Sequence, residues 1–112
     1  MNDPIRVLAF AGSLRRQSYN RALLRAAREL APPTLAIEEF EIGAIPLYDG
    51  DVEERGLPEP VAEFRRRIAA ADALLIATPE YNYSVPGVLK NAIDWASRPP
   101  AQPFAGKPIA LL

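Results

Sequence analysis

The stretch from Ala73 to Trp95 constrains the fold of this chain more than any other. It opens with Ala73-Leu74-Leu75-Ile76-Ala77, a short run free of charge and rich in branched side chains. Such a run reads as a strand buried on both faces, as in a parallel sheet. Pro79 stops the strand. Glu80-Tyr81-Asn82-Tyr83-Ser84 follows, a polar and aromatic segment with little backbone freedom between Pro79 and Pro86. Beyond Pro86-Gly87, Val88, Leu89, Ala92, Ile93 and Ala96 recur at helical spacing. A strand, a stiff loop and a helix in that order place the loop at the carboxyl end of a sheet, where open α/β sheets bind ligands.

The same grammar governs the rest of the chain. Ile5 to Ala11 is predicted as a first strand, and it runs straight into Gly12-Ser13-Leu14-Arg15-Arg16-Gln17-Ser18-Tyr19-Asn20. A helix follows, with Leu23, Ala26, Ala27 and Leu30 as its expected buried face, and Pro32-Pro33 ends it. Leu35 to Ile42 reads as a weaker strand. Its apolar residues change phase between Ile37 and Phe40, which suggests a bulge or an edge strand with one wet side. Glu38, Glu39 and Glu41 suit an edge that must not aggregate. Asp49 to Glu59 reads as a mobile surface connection. Val61, Phe64, Ile68 and Ala71 then form one face of a helix, with Arg65-Arg66-Arg67 mostly solvated off it. Arg98 to Gly106, with three prolines, reads as an extended connector, and Lys107 to Leu112 begins a fourth strand. The order βαβαβαβ implies a parallel sheet with right-handed crossovers. A fourth strand with nothing after it leaves an apolar edge, so the expectation is one domain over 1–112, incomplete at its C-terminal end.

Composition excludes several chemistries. The chain has 112 residues, a net charge of −1, no cysteine and no histidine. The charge gives no electrostatic case for nucleic acid or an acidic membrane surface. Without cysteine there is no thiol nucleophile or dithiol couple, and without histidine there is no Ser-His-Asp triad and none of the common His-containing zinc sites. No metal site is expected. The apolar residues near the start are too few to span a membrane, and a cytoplasmic protein is expected.

Two loops carry the candidate chemistry. The loop from Gly12 to Asn20 joins a strand to a helix, where backbone N–H groups and the helix dipole favour an anion. It lacks the Gly-Lys-Ser/Thr ending of a Walker loop, which makes nucleotide hydrolysis a weak reading. It also lacks Gly-x-Gly-x-x-Gly. Hydroxyls from Ser13 and Ser18, the Asn20 amide and the guanidinium of Arg15, with Arg16 as a further candidate, suit one terminal phosphate. That pattern points to a mononucleotide and away from NAD as the tightly held ligand. The plainer alternative is that Ser18 caps the helix and the arginines are solvated. The second loop, Pro79 to Pro86, offers Tyr81, Asn82 and Tyr83 as a wall and edge-reader for a flat heteroaromatic ring; its plainer alternative is tyrosines packed on the domain. Both loops would lie on one edge of the sheet. Lys90 and Asp94 read as a surface ion pair, and Ile93 and Trp95 as packing.

Gly-Ser-Leu-Arg-Arg-Gln-Ser-Tyr-Asn at 12–20 and Pro-Glu-Tyr-Asn-Tyr-Ser-Val-Pro-Gly-Val-Leu-Lys-Asn-Ala-Ile-Asp-Trp at 79–95 resemble the two signatures of the NADPH-dependent FMN reductases. This flavodoxin-like family includes bacterial chromate and quinone reductases and related azoreductases. Leu47-Tyr48-Asp49 resembles the family's segment after the second strand. The resemblance implies a three-layer αβα sandwich with strand order 2-1-3-4-5 in the full domain. It implies FMN, with its phosphate held by Ser13, Arg15, Ser18 and Asn20. Pro79, Glu80, Tyr81 and Asn82, with Ser84 as a further candidate, would line its ring. It implies NADPH or NADH as hydride donor, a small-molecule acceptor (a quinone, a flavin, an azo compound or a metal oxyanion such as chromate), and a homodimer or homotetramer. The cofactor carries the chemistry, so no catalytic acid or base is expected. Family members continue past the fourth strand with a further flavin-contacting loop, two helices and a strand; here the chain stops. Two alternatives stand beside an enzyme: a flavodoxin-type FMN-binding electron carrier, and a non-catalytic fragment of a reductase.

Overall fold

In a computed structural model, residues 3–13, 18–79 and 84–112 are described. Four parallel strands form one sheet: β1 (Ile5–Ala11), β2 (Leu35–Phe40), β3 (Ala73–Ala77) and β4 (Ile109–Leu111). Their order is β2-β1-β3-β4, the order expected for the first four strands of a flavodoxin-like sheet. The connecting helices are α1 (Tyr19–Leu30), α2 (Gly50–Glu54), α3 (Glu59–Ala70) and α4 (Gly87–Ala96).

The two faces of the sheet are packed unequally. Leu8 and Phe10 of β1 and Leu74 and Ile76 of β3 point to one side, where Val61, Phe64 and Ile68 of α3 and Leu89, Ala92 and Trp95 of α4 complete a large apolar cluster. Phe64 stacks on Phe40 at 5.2 Å and meets Phe10 edge-on at 5.1 Å. Alternation sends Ala9, Ala11 and Ala77 to the other side, against Leu24 of α1. Small side chains there let α1 lie close to the sheet.

That close approach corrects the expected face of α1. Leu24 is its only buried residue, while Leu23, Ala26 and Leu30 are exposed and Ala27 is half-buried. The helix carries apolar residues on two neighbouring faces, so hydrophobic spacing alone does not choose between them. The choice is a tertiary one: Leu24 packs on Ala9, Ala11 and Ala77, and the Arg21 side chain reaches back to the Ser13 carbonyl just past β1. Ala31 is extended (φ −66, ψ 138), as a residue before proline prefers, and it ends the helix at Pro32-Pro33.

β2 is an edge strand without a bulge, since its register with β1 runs unbroken from Ile5↔Leu35 to Phe10↔Phe40. The phase change has another cause: Leu35 and Ile37 face the α1 layer and Phe40 faces the α3 layer. Ile42 lies beyond the strand, buried in the large cluster.

Two further expectations change. The segment 49–59 is not an open loop throughout, because Asp49 accepts from the Asp51 amide and caps α2. The arginine run is not uniformly solvated. Arg66 and Arg67 pair with Glu59, Glu63 and Glu38. Arg65, however, donates to the carbonyls of Trp95 at 3.2 Å and Ala96 at 2.7 Å, which are last-turn acceptors of α4. Lys107 likewise donates to the Ala69 and Ala71 carbonyls at the end of α3.

Candidate functional site

Because all strands run parallel, the exits of β1, β2 and β3 share one edge of the sheet. The β1 and β3 exits touch. The Gly12 amide donates to the Ala77 carbonyl at 2.8 Å. A Cβ placed on Gly12 would lie 2.7 Å from Thr78 Oγ1 and 3.3 Å from Leu89 Cδ2. Gly12 is therefore required for space, and its absent side chain brings the two candidate loops together. Thr78 Oγ1 in turn donates to the Pro79 carbonyl at 2.9 Å, which orients the first turn of the second loop.

Ser13 and Ser18 are each 6% exposed. Ser18 caps α1 with an extended backbone, and its Oγ accepts from the Arg21 amide at 3.0 Å. Capping uses the oxygen lone pair, so the hydroxyl proton stays available as a donor. The capping alternative and the anion reading are thus compatible. Asn20, half-buried, is the second residue of α1. On the other loop Pro79 is half-buried, Ser84 is exposed and Pro86 is fully buried at the start of α4. Arg15, Arg16, Glu80, Tyr81, Asn82 and Tyr83 lie outside the described residues.

Beside the β1 exit a cavity of about 50 Å³ is lined by Ala11, Ser13, Arg21, Arg25, Glu39 and Glu41, among others. Arg21 Nε donates to the Ser13 carbonyl at 3.3 Å, and its Nη2 pairs with Glu41 at 2.9 Å. Glu39 Oε1 is buried with no hydrogen-bond partner among the described residues; the cavity beside it has room for a water.

A second network holds the segment after β2 against α4. The Pro46 carbonyl accepts from Asn91 Nδ2 at 2.8 Å and from Trp95 Nε1 at 2.7 Å. The Tyr48 amide donates to Asn91 Oδ1 at 2.8 Å, and the Tyr48 ring meets Trp95 edge-on at 4.8 Å. Tyr48 Oη donates to Glu53 Oε1 at 2.7 Å, and Arg98 Nε donates to Glu53 Oε2 at 2.9 Å. The hydrogen bond from Arg98, then that from Tyr48, holds the Glu53 carboxyl below its ordinary range. The bond to Glu53 pushes the Tyr48 phenol up, and Glu53 raises Arg98 as well.

Reading the sequence missed Arg21, Asn91, Glu53 and Arg98. Arg21 follows the Ser18 cap at the three-residue offset of a capping contact, a signal that marks its amide and not its side chain. The other three meet through tertiary contacts that carry no sequence spacing. Trp95 is fully buried as expected, and Lys90 and Asp94 pair at 2.7 Å on the surface. Among the described residues no group of three or more His, Cys, Asp or Glu could hold a metal, and no helix is long and apolar enough to cross a membrane.

A family model described as NADPH-dependent FMN reductase matches residues 5–112. The chain is 62% identical over 112 residues to an NAD(P)H-dependent FMN reductase of Pseudomonas aeruginosa, covering 100% of this chain and 60% of that protein. It is 50% identical over 113 residues to a quinone reductase of Pseudomonas putida, covering 100% of this chain and 61% of that protein. The solved structure of FerB, a flavoenzyme NAD(P)H:(acceptor) oxidoreductase from Paracoccus denitrificans, superposes with a TM-score of 0.88 at 42% identity, over 96% of this chain and 59% of that one. The chain thus spans about three fifths of the length of the curated relatives it matches.

Proposed function

The chain belongs to the NADPH-dependent FMN reductase family, and on that footing we propose that it acts as an FMN-dependent NAD(P)H oxidoreductase. The observation that supports the reading is the close crossing of Gly12 and Thr78, which brings the first residue of one candidate loop against the residue that leads into the other. A phosphate and a flat ring can belong to one ligand only if the loops that hold them adjoin.

The residues present fit FMN. Ser18 is a buried hydroxyl at the N-terminus of α1 and Ser13 a buried residue just past β1, and with Arg15 and Asn20 they would hold the phosphate. Pro79, Glu80, Tyr81 and Asn82, with Ser84, would line the isoalloxazine, main-chain groups reading its polar edge. A bound flavin supplies two-electron chemistry between a nicotinamide and an acceptor. The chain's own part is to bind, orient and supply donors at the ring edge. No side-chain acid or base is required, which suits a chain without histidine or cysteine. NADPH or NADH donates. The acceptor is a quinone, a flavin, an azo compound or a metal oxyanion such as chromate. The working form is a cytoplasmic homodimer or homotetramer.

The test is a visible spectrum after FMN addition and removal of free flavin. Retained flavin bands that are lost in Arg15→Ala or Asn20→Ala support the phosphate subsite, and steady NADPH oxidation with a quinone then separates an enzyme from an electron carrier. No retained flavin refutes the reading for this polypeptide.

A further inference from the structure

Arg21 sits in the first turn of α1 and makes three contacts there. Its amide donates to Ser18 Oγ at 3.0 Å, its Nε donates to the Ser13 carbonyl at 3.3 Å, and its Nη2 pairs with Glu41 at 2.9 Å. Ser13 and Ser18 are the two described residues that bracket positions 14–17. Its backbone amide thus meets one end of that stretch, and its side chain meets the other and ties it to the exit of β2.

The contacts differ in weight. The Glu41 side chain is 71% exposed and that of Arg21 only 23%, so their ion pair is screened by solvent and serves mainly to aim the guanidinium. The contact with Ser13 is partly buried. It occupies a carbonyl oxygen that would repel a phosphate if turned toward it, and it adds a positive charge to the base of the loop.

We propose that Arg21 is a positioning residue for a phosphate at this loop, setting the spacing of Ser13 and Ser18 so that their donors converge. The inference rests on the FMN reading above. The fork of the guanidinium is essential to it, because one group must reach Ser13 and Glu41 together. A lysine ammonium is a compact point charge with rotatable donors and lacks the planar fork whose Nε and Nη2 meet Ser13 and Glu41 along separate fixed directions.

FMN and riboflavin differ only in the phosphate, so their dissociation constants, read by quenching of flavin fluorescence, isolate this role. In both Arg21→Gln and Arg21→Lys, FMN should bind about tenfold more weakly while riboflavin stays within about twofold of wild type. Full rescue by lysine would show that charge alone matters and would overturn the proposal. So would equal losses for both flavins, or no loss. Circular dichroism melts check folding; if Arg21→Gln does not fold, Arg21→Lys carries the comparison. A wild-type chain that holds neither flavin overturns the FMN reading itself, and the inference with it.

Discussion

Replacing Gly12 with alanine adds one methyl group at the point where the two loops meet. The new carbon would sit 2.7 Å from Thr78 Oγ1, 3.2 Å from Thr78 Cβ and 3.3 Å from Leu89 Cδ2. Carbon pairs are most favourable at about 3.5–4.0 Å, so all three contacts are repulsive. Neither neighbour yields freely: Thr78 Oγ1 is bonded to the Pro79 carbonyl, and Leu89 is 2% exposed in the core. Overpacking of this kind costs about 1–3 kcal/mol. Two features bear on the net effect. Gly12 is not among the positive-φ glycines, so alanine suffers no backbone strain there. Alanine also restricts the unfolded chain, which offsets about 0.4–1 kcal/mol. The net expectation is destabilisation of about 1–2 kcal/mol, or a melting temperature lower by roughly 4–8 °C. Thr78→Ala alone should cost about 1 kcal/mol for its hydrogen bond. In the double variant the closest clash is gone, so the two costs should fall short of additive by about 1 kcal/mol. Urea denaturation of all four proteins measures this. Additivity within about 0.5 kcal/mol would refute the contact as the reason for the glycine.

Other expectations follow from single contacts. Phe64→Ala removes a ring that is 0% exposed and wedged between Phe10 and Phe40; a loss of about 3–5 kcal/mol is expected, measured by urea denaturation. Trp95→Phe keeps an aromatic core residue but deletes the donor to Pro46. Asn91 still serves that carbonyl, so the cost should be only about 1 kcal/mol beyond the packing change. Arg65→Met keeps an apolar stem while uncovering the carbonyls of Trp95 and Ala96, and its melting temperature should fall by about 4–8 °C. Glu53 has a lowered carboxyl pKa. The stability it adds is therefore present above its ordinary value of 4.5 and is lost as pH falls through the lower folded value. Glu53→Gln should flatten that part of the acid dependence of the urea midpoint, and an unchanged profile would refute the assignment.

The four strands and the three longer helices were legible because each depends on local pattern. The apolar run of β3, the proline stops after α1 and the helical spacing of Val61, Phe64 and Ile68 need no tertiary information. The rotation of α1 was not legible, because Leu23 and Leu30 are as apolar as Leu24 and tertiary contacts, with Ala9, Ala11 and Ala77 of the sheet and with Ser13, decide which face turns inward. The segment 49–59 was misread for a related reason. Its acidic residues suggest a solvated loop, and two of them, Asp49 as a cap and Glu53 as an acceptor, instead hold it in place.

The candidate site divides along the same line. A helix start after a strand, with serines and an asparagine, is a sequence pattern because its donors come from consecutive residues. What sets the relative position of such donors comes from elsewhere in the chain. Thr78 reaches Gly12 from just past the neighbouring strand, and Arg21 reaches Ser13 from inside the helix with Glu41 steering it from just beyond β2. These residues are polar side chains that, read in sequence, look like ordinary surface groups. Their importance is geometric: if the proposed FMN reading holds, a phosphate on one loop and a ring on the other require that neither loop shift relative to the other. Changing Thr78 or Arg21 should therefore alter how well the loops act together before it alters whether the chain folds.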